Sequence, residues 1–160
     1  MKDTYTVEDT YFLRLAIQQA KEAREHGNHP FGAVLVSEAG EVLLSAQNTV
    51  NTERDATGHA ETNLMRKASR AYSRDFLRTC IMYTSTEPCA MCSGATYWAG
   101  VGKVVYGLSE SELYKLTGDN PENLTMHLPC REVLARGQQE TEVVGPLLED
   151  EAKEVHQGFW

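Results

Sequence analysis

Apolar residues recur every three or four positions between residues 12 and 23, where Phe12, Leu13, Ala16, Ile17, Ala20 and Ala23 form one stripe. That period marks an amphipathic helix. Thr6 and Asp9 have capping-box spacing at its start, and Gly27 followed by Pro30 marks its end. The pattern then changes. "FGAVLVS" is an almost unbroken apolar run, "EAGE" reads as a turn and "VLLSAQN" returns, so residues 31–48 are predicted to form a hairpin of buried strands. A second helix is predicted in "HAETNLMRKASRAY", where Ala60, Leu64, Lys67 and Ala68 recur at helical spacing. A strand follows at 79–85, a helix at 89–100 closed by Gly100, and a strand at 103–108. Beyond residue 108 the periodicity weakens. "TGDNPEN" reads as a turn or loop, "CREVLARG" as a short helix, "TEVVG" as an edge strand, and Pro146 as the first position of a last, acidic helix. Strands alternating with helices predict a layered α/β domain with part of its sheet parallel. The chain length suits one domain over residues 1–160, with no internal repeat or linker.

Composition narrows the partners. Fifteen basic against 23 acidic residues leave a net charge of −8, which repels phosphate backbones and makes polynucleotide an unfavoured partner. The first twenty residues carry acids where a signal peptide carries cations, and no apolar run approaches the ~18 residues of a membrane span. A cytoplasmic protein without a membrane partner is expected. In that compartment the four cysteines read as metal ligands, reactive thiols or core residues rather than disulfides.

Cys89 and Cys92 stand one helical turn apart behind Pro88, at a predicted helix start that favours thiolate over thiol. Taken alone, the pair could be core residues, a redox dithiol or metal ligands. "GHAE" at 58–61 supplies His59, and one histidine with two cysteines leaves a tetrahedral zinc one open position, as catalytic zinc sites have. A closed, purely structural site would need a further cysteine. Cys80 reads as core, and Cys130, between Pro129 and a short helix, is the remaining candidate. His59 and Glu61 point about 200° apart on an ideal helix, so a metal beside the barrel cannot take both; His59 at the helix tip would ligate and leave Glu61 to the chemistry. His26, His29, His127 and His156 lack ligand spacing, and His29 lies at the mouth of the hairpin.

His59-Ala60-Glu61 with Pro88-Cys89-Ala90-Met91-Cys92 resembles the zinc-dependent cytidine and deoxycytidylate deaminase superfamily, whose signature is H-x-E followed by P-C-x-x-C. The similarity extends through "HPFGAVLV", "YTSTEPCAMC" and "GATYWAG", roughly residues 8–108. Histidine in the first motif is similar to the branch of guanine, cytosine, deoxycytidylate and tRNA adenosine deaminases. Pro30-Phe31-Gly32-Ala33, Asn48 and Tyr97-Trp98-Ala99 are most similar to bacterial guanine and related nucleoside deaminases.

The resemblance implies a three-layer α/β/α fold with a central mixed sheet of about five strands and one zinc per chain held by His59, Cys89 and Cys92. It implies Glu61 as the group that takes a proton from water and returns it to the departing amino group. It further implies substrate contacts from Asn48 and Ala60, packing from Phe31, Trp98 and Trp160, a homodimer, and a C-terminal segment lying over the site. The expected substrate is a free nucleobase or nucleoside, guanine or a related purine first and cytosine or cytidine next. A tRNA adenosine deaminase follows, then a non-catalytic, zinc-stapled binding module. A tRNA substrate calls for cations on the last helix, where "LLEDEAKEVHQ" has one lysine against four acids. Glu110 and Glu112 fall where guanine deaminases have acids that contact the base, but the surrounding sequence departs from theirs, so no role is assigned.

Overall fold

The computed structural model describes residues 5–160; residues 1–4, the first of the span expected to form one domain, lie outside the described residues. Five strands, β1 (Gly32–Val36), β2 (Val42–Gln47), β3 (Ile81–Thr86), β4 (Lys103–Leu108) and β5 (Glu142–Val144), hydrogen-bond in the order β2-β1-β3-β4-β5. Around them lie α1 (Val7–Glu25), α2 (Val50–Glu53), α3 (Ala60–Ala71), α4 (Arg74–Leu77), α5 (Ala90–Ala99), α6 (Glu110–Thr117), α7 (Cys130–Leu134) and α8 (Glu149–Glu154). β1 is antiparallel to both β2 and β3, whereas β3–β4 and β4–β5 are parallel. Parallel neighbours need long crossovers; α5 makes the first, and α6 with α7 makes the second.

Strand alternation sorts the core into two faces. Val34, Val36, Tyr83, Val105 and Val144 meet Phe12, Leu13 and Ala16 of α1. Ala33, Leu35, Met82, Val104 and Tyr106 turn the other way, onto Leu64, Met65 and Ala68 of α3 and Leu134 of α7. The result is the expected α/β/α sandwich. No helix among the described residues is long and apolar enough to cross a membrane.

Several expectations need correction. β1 is wholly buried, but of β2 only Ala46 is, because β2 is a sheet edge with one neighbour. Its outward carbonyls are covered by side chains: Lys67 Nζ donates to Ser45 O over 3.0 Å, and Asn63 Nδ2 donates to Gln47 O over 2.9 Å. Such cover blunts an edge against further pairing. The last helix starts at Glu149 rather than Pro146. Leu147 N still bonds to Tyr106 O, and Leu148 adopts a left-handed φ of 52°, so the residues before Glu149 return the chain to the sheet. α6 was not foreseen, although Ser109 caps it by accepting from Glu112 N at 3.2 Å.

The capping box of α1 forms as read: Thr6 N donates to Asp9 Oδ2 at 3.0 Å and Asp9 N to Thr6 Oγ1 at 3.2 Å. Asp9 is buried, and its second oxygen accepts the hydroxyl of fully buried Tyr83 at 2.7 Å. Burial first, and then this hydrogen bond, hold the Tyr83 phenol well above its usual pKa. One carboxylate thus joins the helix start to the middle strand. Asp9→Ala should lower unfolding free energy by about 2–3 kcal/mol, since it strands a buried hydroxyl and an amide bonded to a charge. Urea titration checks this; zinc content should stay unchanged, because Asp9 belongs to the α1 layer, across the sheet from α3 and α5.

Candidate active site

α3 and α5 pack on the same face of the sheet, and each begins with a residue in extended backbone: His59 (φ −74°, ψ 148°) before α3 and Cys89 (φ −69°, ψ 175°) before α5. Neither side chain caps its own helix, so both are free to point elsewhere. They meet. His59 Nδ1 lies 3.5 Å from Cys89 Sγ and 3.7 Å from Cys92 Sγ, and the three ligand atoms fall within 4.8 Å of one another. The spacing problem posed by His59 and Glu61 dissolves here, because His59 stands outside the helix. Glu61 lies inside α3, buried, with Oε2 accepting from Thr84 Oγ1 at 2.9 Å.

The donor set fits zinc. One imidazole and two thiols at zinc's usual bond lengths put nitrogen and sulfur about 3.6 Å apart around a tetrahedral ion, close to the separations seen. Among the described residues no other His, Cys, Asp or Glu joins this group; Cys80 and Cys130 lie in the apolar core, and burial pushes both thiols up. The hydrogen bond from Cys92 holds the Cys89 thiol below its usual pKa against burial, and the same bond, with burial, pushes Cys92 up. Zinc takes cysteine as thiolate, so binding would displace the remaining protons of the pair. Burial first, and the charge on Cys89 second, raise Glu61 to about 6.

A cavity of about 320 Å³ opens over His59, Cys89 and Glu61. Phe31 and Asn48 line it from the hairpin, and Pro121, Glu122 and Asn123 from the segment between α6 and α7. Among the described residues no lysine or arginine lines it. Asn48 is buried and fixed: its N–H donates to Phe31 O at 3.1 Å, and its Oδ1 accepts from Val50 N at 3.0 Å. Its side-chain NH2 has no protein partner among the described residues.

Three expected substrate residues lie elsewhere. Ala60 is sealed in the core beneath the first turn of α3. Trp98 is 74 % exposed; nine positions after Cys89, it is carried about 14 Å along α5 by the helical rise. Trp160 stands behind the cavity wall, its ring centroid 6.2 Å from that of Phe31 and 5.4 Å from that of His29. The tail docks on its own chain. Trp160 Nε1 donates to His156 Nδ1 at 2.9 Å, and Arg24 donates to the carbonyls of Val155 and Gln157 while its guanidinium covers the Phe159 ring.

Other site residues escaped the motifs. Buried Glu87 lines the cavity and accepts two amides, Glu110 N at Oε1 and Cys130 N at Oε2, each at 2.9 Å. It therefore fastens the starts of α6 and α7. Glu110 in turn accepts Leu128 N at 3.1 Å, and Glu112 pairs with Lys115 and Lys153, so these two acids hold structure. The available signal for Thr84 and Thr86 was polarity on the α3 face of a strand otherwise apolar there.

A family model for the zinc-binding region of cytidine and deoxycytidylate deaminases matches residues 6–108. The chain is 43 % identical over 152 residues to a probable cytosine deaminase of Schizosaccharomyces pombe, covering 95 % of this chain and 92 % of that one. It is 42 % identical over 102 residues to a guanine deaminase of Bacillus subtilis, covering 63 % and 65 %. Among solved structures, one from work on tRNA A34 deaminases superposes with TM-score 0.71 at 28 % identity, covering 91 % of this chain and 99 % of that chain. A guanine deaminase from Nitrosomonas europaea shares the fold, with TM-score 0.75 at 23 % identity over 96 % and 84 %.

Purified protein should carry one zinc per chain, and Cys89→Ala should lose it. Elemental analysis of the two proteins decides, and zinc undiminished in the variant would remove Cys89 from the ligand set.

Proposed function

The chain belongs to the cytidine and deoxycytidylate deaminase family and is a zinc-dependent deaminase; on that premise we propose that its substrate is a free, unphosphorylated amino-substituted nucleobase, cytosine before guanine. The carrying observation is the cavity, which sits over His59, Cys89 and Glu61 and, among the described residues, is lined by no lysine or arginine that could hold a phosphate. Its size is at the small end for ligand pockets. The order reverses the expectation from sequence, where guanine came first. Similarity to a probable cytosine deaminase runs along 95 % of the chain and includes the cavity's far wall, whereas similarity to the guanine deaminase of B. subtilis covers 63 %.

A zinc held by His59, Cys89 and Cys92 supplies the Lewis acidity that makes water nucleophilic near neutral pH. Glu61 takes a proton from the attacking water and gives it to the amino nitrogen, so that the carbon–nitrogen bond breaks with ammonia leaving and a carbonyl remaining. Thr84 suits both states of that carboxyl, because its hydroxyl lies 2.9 Å from Glu61 Oε2 and 3.1 Å from Thr86 O. It donates to the carboxylate; when Glu61 holds the proton, Thr84 accepts from it and donates to Thr86. Asn48 offers its NH2 to a ring carbonyl, and Phe31 packs against the ring.

The exposed apolar face of α5, with Met91 and Trp98 seven residues apart and both exposed, is assigned to a second copy, as the family resemblance implies. Trp98→Asp should then shift the protein from dimer to monomer in sedimentation; a wild type that sediments as a monomer excludes the dimer. For the reaction, ammonia release is measured over cytosine, guanine, adenine, cytidine and guanosine. Cytosine should lead, and Glu61→Gln should lose on the order of 10²–10⁴ in kcat while retaining zinc. A wild-type rate in that variant refutes the role of Glu61, and a nucleoside leading the panel refutes the substrate class.

A further inference from the structure

We propose that His29, oriented by Glu122, is a substrate-binding residue that selects a free base over its nucleoside by accepting a hydrogen bond from the ring N–H that a sugar would replace. The inference rests on the nucleobase reading above and adds a residue to it. His29 is 5 % exposed, yet it lines the cavity over His59 and Glu61. Its ring is held on several sides. Phe159 and Trp160 pack against it with centroids at 5.9 and 5.4 Å, and Nε2 lies 3.1 Å from Glu122 Oε1. A carboxylate only accepts, so Nε2 donates to Glu122, and in the Nε2–H tautomer that this contact selects Nδ1 is an acceptor. Nδ1 has no partner among the described residues.

The neighbouring wall supplies the complement. Phe31 N donates to His29 O at 2.8 Å and Asn48 N donates to Phe31 O at 3.1 Å, so His29 and Asn48 are tied to one stretch of backbone. Asn48 brings an unspent donor and His29 an unspent acceptor. That pair matches a ring N–H beside a carbonyl, which free cytosine presents at N1 and C2, away from the amino group at C4. In cytidine N1 bears the sugar, and the acceptor of His29 faces a carbon substituent without a proton to offer. A buried acceptor left unpaired makes the poorer ligand costly. Glu122 acts through His29 and is a positioning residue.

The test is kcat/KM for cytosine against cytidine, and for guanine against guanosine, in wild type, His29→Phe and Glu122→Ala, with zinc content measured in each. His29→Phe keeps an aromatic ring between Phe159 and Trp160 while removing both nitrogens. It should lose about ten- to a hundredfold in kcat/KM on the free base, chiefly through KM, with zinc retained and the base-to-nucleoside ratio collapsing. Glu122→Ala alters a side chain 62 % exposed, leaves folding untroubled and should shift the ratio in the same direction by a smaller factor. A wild type active on bases whose ratio is unchanged in both variants overturns the assignment of His29 and leaves the nucleobase reading standing. A wild type that treats base and nucleoside alike overturns it too. A wild type releasing no ammonia from any of the four removes the nucleobase reading, and this inference with it.

Discussion

Everything in the site follows from two helix starts meeting. α3 and α5 rise from one face of the sheet, and their N-cap residues, His59 and Cys89, leave their own helices uncapped and turn toward each other. Elsewhere in the chain Thr6, Ser73 and Ser109 spend their side chains on capping, which is worth ~1 kcal/mol each. The metal-ligand positions forgo that gain. In exchange, a nitrogen and two sulfurs converge at separations suited to one ion, with Cys92 one turn inside α5. A zinc held there would neutralise the sulfurs that lie near the buried carboxyl of Glu61.

Around that centre, buried acids act as fasteners. Glu87, immediately before Pro88-Cys89, receives the first amides of α6 and α7, and Glu110 receives Leu128. The segment bearing Pro121, Glu122 and Asn123 is therefore tied at both ends to the turn that carries a metal ligand. Its tip is tied by the His29–Glu122 contact. A carboxylate that accepts two buried amides leaves neither stranded, and removing it would strand both. The wall of the cavity is thus positioned by the same turn that positions the chemistry.

What could be read from sequence was what is local. Helical periodicity located α1 and α3, an unbroken apolar run located β1, and two short motifs singled out His59, Cys89 and Cys92, which the fold brings together, and Glu61, which it buries beside them, because each of the four lies within a turn of a helix start. Contacts between distant residues were not legible. Glu87 meets Cys130 across 43 positions and His29 meets Glu122 across 93, and no periodicity records either. The partial exposure of β2 has the same origin, since its sequence is as apolar as a central strand and only the sheet order makes it an edge. Trp98 and Ala60 stand beside the motifs in sequence, yet α5 carries the first to an exposed position and α3 turns the side chain of the second into the core.

This division separates chemistry from selectivity along the chain. The family-wide match ends at residue 108, and by then the ligands, Glu61, Thr84, Asn48 and Phe31 are all in place. The opposite wall and the aromatic tail behind His29 come from residues beyond it. The matches to a tRNA-specific adenosine deaminase and to a guanine deaminase cover 60 % and 63 % of the chain, whereas that to a probable cytosine deaminase covers 95 %. His29 belongs to the shared part by position, but its partners Glu122, Phe159 and Trp160 belong to the variable part. A histidine at that position without those partners has neither a fixed ring plane nor a fixed tautomer, so its usefulness as an acceptor depends on a wall and tail that the deaminase motifs do not encode.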